Sequence, residues 1–161
     1  MSLQPLTARA FAPFGQLIQC DGATHYPINQ GMTERYHDLA TIELAGENSR
    51  PMISIFRGQP YQMPLELKMM ERHPLGSQAF YPLSDQPFIV IVAPDNQGQP
   101  ARPLAFLTTP GQGINIAMNV WHGVLTPLHQ ISDFIVVDRG GEGNNLDEHH
   151  FGFTYLIVST A

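Results

Sequence analysis

Apolar residues along this chain fall in short runs separated by prolines and glycines, the pattern of strands and turns and not of helices. Strand-like segments, many rich in Val, Ile, Phe or Tyr, lie at 36–44, 52–56, 88–93, 104–108, 114–118, 133–138 and 153–158. Phe88-Ile89-Val90-Ile91-Val92 has no polar alternation and reads as a strand covered on both faces. Ile114-Asn115-Ile116-Ala117-Met118 alternates, as a half-buried strand does. Thr7 is placed to cap a short helix through Ala8, Arg9 and Ala10, which Pro13 and Gly15 soon end. No internal repeat is present. Short strands at regular spacing predict an all-β sandwich or barrel, and periodicity does not choose between them.

Composition narrows the function. A length of 161 residues with a 43% hydrophobic share fills one core, so residues 1–161 are expected to form a single domain. No apolar run approaches the roughly 18 residues of a membrane span, and Met1-Ser2-Leu3-Gln4-Pro5 lacks the features of a signal peptide; a cytoplasmic protein is expected. The single cysteine, Cys20, forms no internal disulfide. A net charge of −6, from 14 acids and 8 bases without a basic cluster, argues against nucleic-acid binding. The chain's one lysine, Lys68, stands close to Glu71, Arg72 and His73.

In Leu67-Lys68-Met69-Met70-Glu71-Arg72-His73 an extended backbone puts Glu71 and His73 on one face and Lys68, Met70 and Arg72 on the other. Burying a carboxylate with an imidazole is costly unless they pair, hold a metal or line a wet cavity, so the pattern points to a site. An exposed edge strand with ordinary charges is the competing reading. After the turn Pro74-Leu75-Gly76, the segment Ser77-Gln78-Ala79-Phe80 is expected to return as the partner of a hairpin and bring Gln78 alongside. In Asn119-Val120-Trp121-His122-Gly123, His122 is expected near the mouth of the fold with Trp121 as a wall. Asn29, Arg35, His37 and Asp133 are further polar candidates, and His149-His150 reads as part of a polar loop.

These positions resemble a worn cupin pattern. His73 matches the second histidine of the first cupin motif, with Glu71 in place of the first histidine, Gln78 in place of the glutamate and Asp85 in place of the closing glycine. Gly111 and His122 match the second motif, where Ala117, Asn119 and Thr126 replace its proline, inner glycine and asparagine. The resemblance implies a cupin-like β-barrel of jelly-roll type with one or more short helices. If a metal is bound, it implies Glu71, His73, Gln78 and His122 as ligands.

A longer resemblance runs through Phe11-Ala12-Pro13-Phe14-Gly15, Ile28-Asn29-Gln30-Gly31, Arg35 with His37-Asp38-Leu39-Ala40, the stretch from Glu71 to Phe80, and Trp121-His122-Gly123. Together these are similar to the ureidoglycolate lyase family of allantoin breakdown. The resemblance implies a homodimer, cleavage of ureidoglycolate to glyoxylate and urea, and a divalent metal, nickel in particular. Such a carbinolamide falls apart when its hydroxyl loses a proton and the departing urea nitrogen gains one. The implied roles are His73 or His122 as base, and the other histidine or Glu71 as acid. Lys68, Arg72 or Arg35 would clamp the carboxylate, Gln78 and Asn29 would meet the urea amides, and Trp121 would wall the site. The alternative from another class is a cupin-like module that binds a small organic acid or ureide without turning it over.

Overall fold

The computed structural model describes residues 1–159. Its principal strands are β1 (Gly15–Ile18), β2 (Arg50–Gly58), β3 (Leu65–Arg72), β4 (Gln78–Pro82), β5 (Phe88–Ala93), β6 (Leu104–Leu107), β7 (Gly113–Ile116), β8 (Trp121–His122), β9 (Ser132–Gly140) and β10 (Asp147–Ile157). One sheet runs in the order β1-β7-β4-β9-β2. The other runs from the short strand Gln4–Pro5 through β6, β5, β8 and β3 to β10, with Thr126–Pro127 also paired to β5. The fold is the expected all-β, cupin-like one, built as two facing sheets. Among the described residues no helix is long and apolar enough to cross a membrane.

The core follows from alternation. Phe80, Ile114, Ile116, Phe134 and Val136 on one sheet meet Phe88, Val90, Val92 and Phe106 on the other. Helix α1 (Ala8–Phe11) adds Phe11, and Thr7 caps it by accepting a hydrogen bond from the Ala10 N–H. On the opposite face of β5, Ile89, Ile91 and Ala93 pack with Leu65, Leu67, Met70, Trp121 and Ile157. That second cluster is why the uninterrupted apolar run of β5 is buried on both faces.

Three expectations change. The segment expected as a strand at 36–44 is largely irregular, and its first residue instead ends a hairpin of His25–Ile28 with Thr33–Tyr36. Second, β3 and β4 do not pair as a hairpin: the turn at 74–76 carries the chain from one sheet to the other. Gln78 therefore reaches the site from the opposite wall. Third, His149 and His150 lie not in a loop but within β10, which pairs with β3.

Strand β3 also slips. Leu67 and Met70 both join the outer cluster, so the in-out alternation changes phase between them, where the β10 register is broken between His150 and Tyr155. Glu71 keeps its place on the inner face, because it pairs in register with His122, the neighbour of inward-facing Val92.

Candidate active site

Glu71 lies on β3 between two antiparallel partners, His122 of β8 on one side and Glu148 of β10 on the other. Residues directly opposite on neighbouring strands share a face, so all three side chains point the same way. Burial raises the Glu71 carboxyl above its usual range; His73 pulls it back and Glu148 pushes it further up.

His122 is 2% exposed. Its Nδ1 sits 3.0 Å from the Gly123 carbonyl oxygen, which makes Nδ1 the protonated nitrogen and leaves a lone pair on Nε2. That Nε2 is buried and has no partner. Burial pushes the imidazole down to about 4, against a smaller upward effect of the Gly123 carbonyl and with a further downward push from His73. At neutral pH His122 is an uncharged base with its acceptor nitrogen free.

His73 follows β3, and its backbone is pinned where its carbonyl accepts the Asn119 N–H at 2.8 Å. Its ring lies 5.1 Å from that of His122. Nδ1 lies 2.7 Å from the Asn145 carbonyl oxygen and Nε2 lies 3.2 Å from Oε1 of Gln78. Asn145 is held in turn, its Oδ1 accepting the Leu75 N–H at 2.7 Å. Gln78 is oriented by Asp138, whose Oδ2 accepts from Nε2 at 3.4 Å. With its amide so turned, Gln78 offers His73 an oxygen, so both His73 nitrogens face acceptors. Each nitrogen of the His73 ring thus has a hydrogen-bond partner that fixes the ring's orientation.

Glu71, Gln78 and His122 open on a cavity of about 660 Å³ whose lining also includes Arg57, Tyr61 and Phe80. One donor atom each from Glu71, His73 and His122 lie within 4.8 Å of one another. Two imidazoles and a carboxylate suit a borderline divalent cation, and the unpartnered Nε2 of His122 is free to ligate one. The residues therefore fit a metal.

Other sequence-predicted residues stand elsewhere. Trp121 does not wall the cavity, because as the neighbour of His122 in a strand it must face the other side, where it joins the outer cluster. Arg72 goes with it: Nε donates to Asp147 and Nη1 to Asp95, each at 3.0 Å, and the guanidinium stacks 4.4 Å from the Trp121 ring centroid. Lys68 is exposed and pairs with Glu66 at 2.6 Å, away from the cavity lining. Asn29, Arg35 and His37 lie on the exposed hairpin. Arg72 is thus a structural tie, and Arg72→Met is expected to lower Tm by about 3–6 °C while KM changes less than about twofold. A thermal melt with steady-state kinetics checks both.

The structure adds Asp138, Asn145, Arg57, Tyr61 and Glu148 to the site. Asp138 was within reach of the sequence, since Phe134, Val136 and Asp138 share a strand face by simple alternation. Glu148 was not, because the polar stretch before Phe151 has no apolar period to show a strand.

A cupin-like sandwich with His122 and the Glu71 carboxyl on the wall of a cavity, and His73 packed against His122, defines a small-molecule enzyme on a cupin-like fold. The chain belongs to the ureidoglycolate lyase family, whose profile matches residues 1–158. It is 60% identical over 154 residues to a ureidoglycolate lyase of Chelativorans sp., covering 96% of this chain and 93% of that one. It is 58% identical to the enzyme of that name from Mesorhizobium japonicum, covering 98% and 96%. Ureidoglycolate lyase 2 of Rhizobium meliloti is 55% identical, again over 98% of this chain and 96% of its own.

Proposed function

We propose that this chain cleaves ureidoglycolate to glyoxylate and urea, in the breakdown of purine nitrogen. The observation that carries the reading is the pair His122 and Glu71: a buried neutral imidazole with a free acceptor nitrogen, in register with a carboxyl whose hold on a proton is strengthened by burial. Family membership supplies the substrate class.

The reaction needs one proton removed and one delivered. His122 Nε2 takes the proton of the carbinol hydroxyl; the oxygen then forms the aldehyde carbonyl as the carbon–nitrogen bond breaks. Glu71 delivers its proton to the departing urea nitrogen, so glyoxylate and urea leave without net gain or loss of atoms. Proton return from His122 to Glu71, directly or through solvent, resets the pair. His73, held by Asn145 and Gln78, fixes its ring against that of His122 and so positions the base. The Gln78 amide and the Tyr61 hydroxyl are the lining groups that meet the urea amides.

A divalent cation is a second reading, favoured by the convergence of Glu71, His73 and His122. We place nickel first among the candidates, with the Gln78 oxygen as a fourth ligand. When bound, such an ion would polarise the substrate's oxygens and acidify its hydroxyl. We further place the chain in the cytoplasm and in a homodimer.

Purified protein mixed with ureidoglycolate is expected to release urea and glyoxylate in equal amounts, with no ammonia. Binding without either product would leave a ureide-binding module. Full activity after chelation, with no metal detected by elemental analysis, supports the acid–base route; loss of activity reversed by a divalent cation supports the metal.

A further inference from the structure

The hairpin of His25–Ile28 and Thr33–Tyr36 has nothing beneath it. Every residue from 24 to 38 is exposed except half-buried Ile28. The hydrogen bonds and ring contacts of this arm close on the arm itself: His25 with Glu34 and Tyr36, Tyr26 with His37, Asn29 with Thr33, and the His37 N–H with the Thr24 carbonyl. An isolated two-stranded hairpin is at best marginally stable in water. Yet this one presents Tyr26, Tyr36 and, at its tip, Met32, which is 86% exposed. At about 3.3 Å per residue it reaches on the order of 20 Å beyond its root.

The same chain carries a second unpartnered surface. The outer face of β2 and β9 exposes Ile53 at 80%, Ile55 at 64% and Ile135 at 37%, and β2 is an edge strand. This apolar face ends at Arg57, on the rim of the cavity.

Among the described residues, the cavity's lining also lacks a free arginine or lysine. Its lining includes one arginine, Arg57, and that guanidinium is held by Asp133 through two 2.8 Å bonds. Against it stand Glu71 and, nearby, Asp138 and Glu148. A carboxylate substrate entering such a site needs another positive group. Arg35, on the arm, has no carboxylate partner among the described residues, and its guanidinium lies 5.9 Å from the centroid of the Tyr26 ring.

We propose that two copies of this chain pair so that the arm of each lies across the outer face of β2 and β9 of the other, bringing Arg35 to the rim of the partner's cavity as the clamp for the substrate carboxylate. Apolar tip meets apolar face, and an unpaired cation meets an acidic cavity. The clamp role rests on the ureidoglycolate reading; the pairing does not.

Complementation tests it in the full-length chain. Arg35→Ala alone is expected to raise KM at least about tenfold, and His122→Asn alone to lower turnover at least about a hundredfold. When the two variants are co-expressed, the mixed dimer contains one site with both an intact His122 and the partner's Arg35. About a quarter of wild-type activity at low substrate should return, half the dimers being mixed with one working site of two. A mixture no more active than its parents overturns the clamp in trans. Sedimentation equilibrium decides the pairing without any substrate. The wild type should have twice the 17.9 kDa chain mass, and Ile53→Asp with Ile55→Asp, both exposed in the single chain, should halve it. A wild type of single-chain mass, or a double variant that stays paired, overturns the interface. A paired wild type that releases no urea sinks the ureidoglycolate reading alone.

Discussion

His122→Asn is expected to lower kcat/KM for ureidoglycolate by about 10²- to 10⁴-fold while the protein stays folded. The asparagine amide occupies the place of Nδ1 and can still donate to the Gly123 carbonyl, so the one hydrogen bond the imidazole makes is kept. What is lost is the Nε2 lone pair, the one group on this wall that is buried, uncharged and without a partner. A simple packing defect would lower Tm and leave the rate per folded molecule unchanged. Steady-state kinetics with circular dichroism separates the two, and activity within about threefold of wild type would remove His122 from the chemistry.

The second large effect is acid sensitivity of the metal-free protein. The folded state holds His122 near 4, whereas the unfolded chain titrates it near the ordinary 6.5. Between those values the unfolded state binds more protons, so stability falls as pH drops from about 6.5 to about 4. The full shift corresponds to about 3 kcal/mol. Glu71 acts in the opposite sense: its raised carboxyl costs stability once it ionises, so protonating it on the way down offsets part of the loss. Urea denaturation across this range in the presence of chelator is expected to show a midpoint that falls with acid, and a shallower fall in His122→Asn. Equal slopes in the two proteins would mean that His122 is not the buried neutral group.

Much of this arrangement was legible in the residues. The unbroken apolar run at 88–92 announced a strand covered on both faces, because a sheet with one wet face would show polar alternation. Strict alternation also set Arg72 opposite Glu71, and the structure keeps that separation even though β3 slips between Leu67 and Met70. The same rule, applied to Trp121 beside His122, would have turned the tryptophan outward.

What was not legible is where the chain changes partners. Pro74-Leu75-Gly76 reads equally as a tight hairpin or as a bridge between sheets, since the turn residues satisfy the local backbone either way. The choice is made by packing: Phe80 belongs with Phe134 and Ile114, and taking it there pulls Gln78 to the opposite wall. Residues 147–150 carry no apolar period, and their strand exists because β3 offers them an unpaired edge. The exposed arm gave the family motif Ile28-Asn29-Gln30-Gly31 its residues but no hint that they leave the body of the fold.

The central claim is that Glu71 and His122 on the cavity wall perform the chemistry, and a structure of the protein with glyoxylate bound tests it most directly. Glyoxylate is expected in the cavity with its aldehyde oxygen within hydrogen-bond reach of His122 Nε2, either directly or across a cation shared by Glu71, His73 and His122. Glyoxylate bound elsewhere, with His122 Nε2 still without a partner, would contradict it.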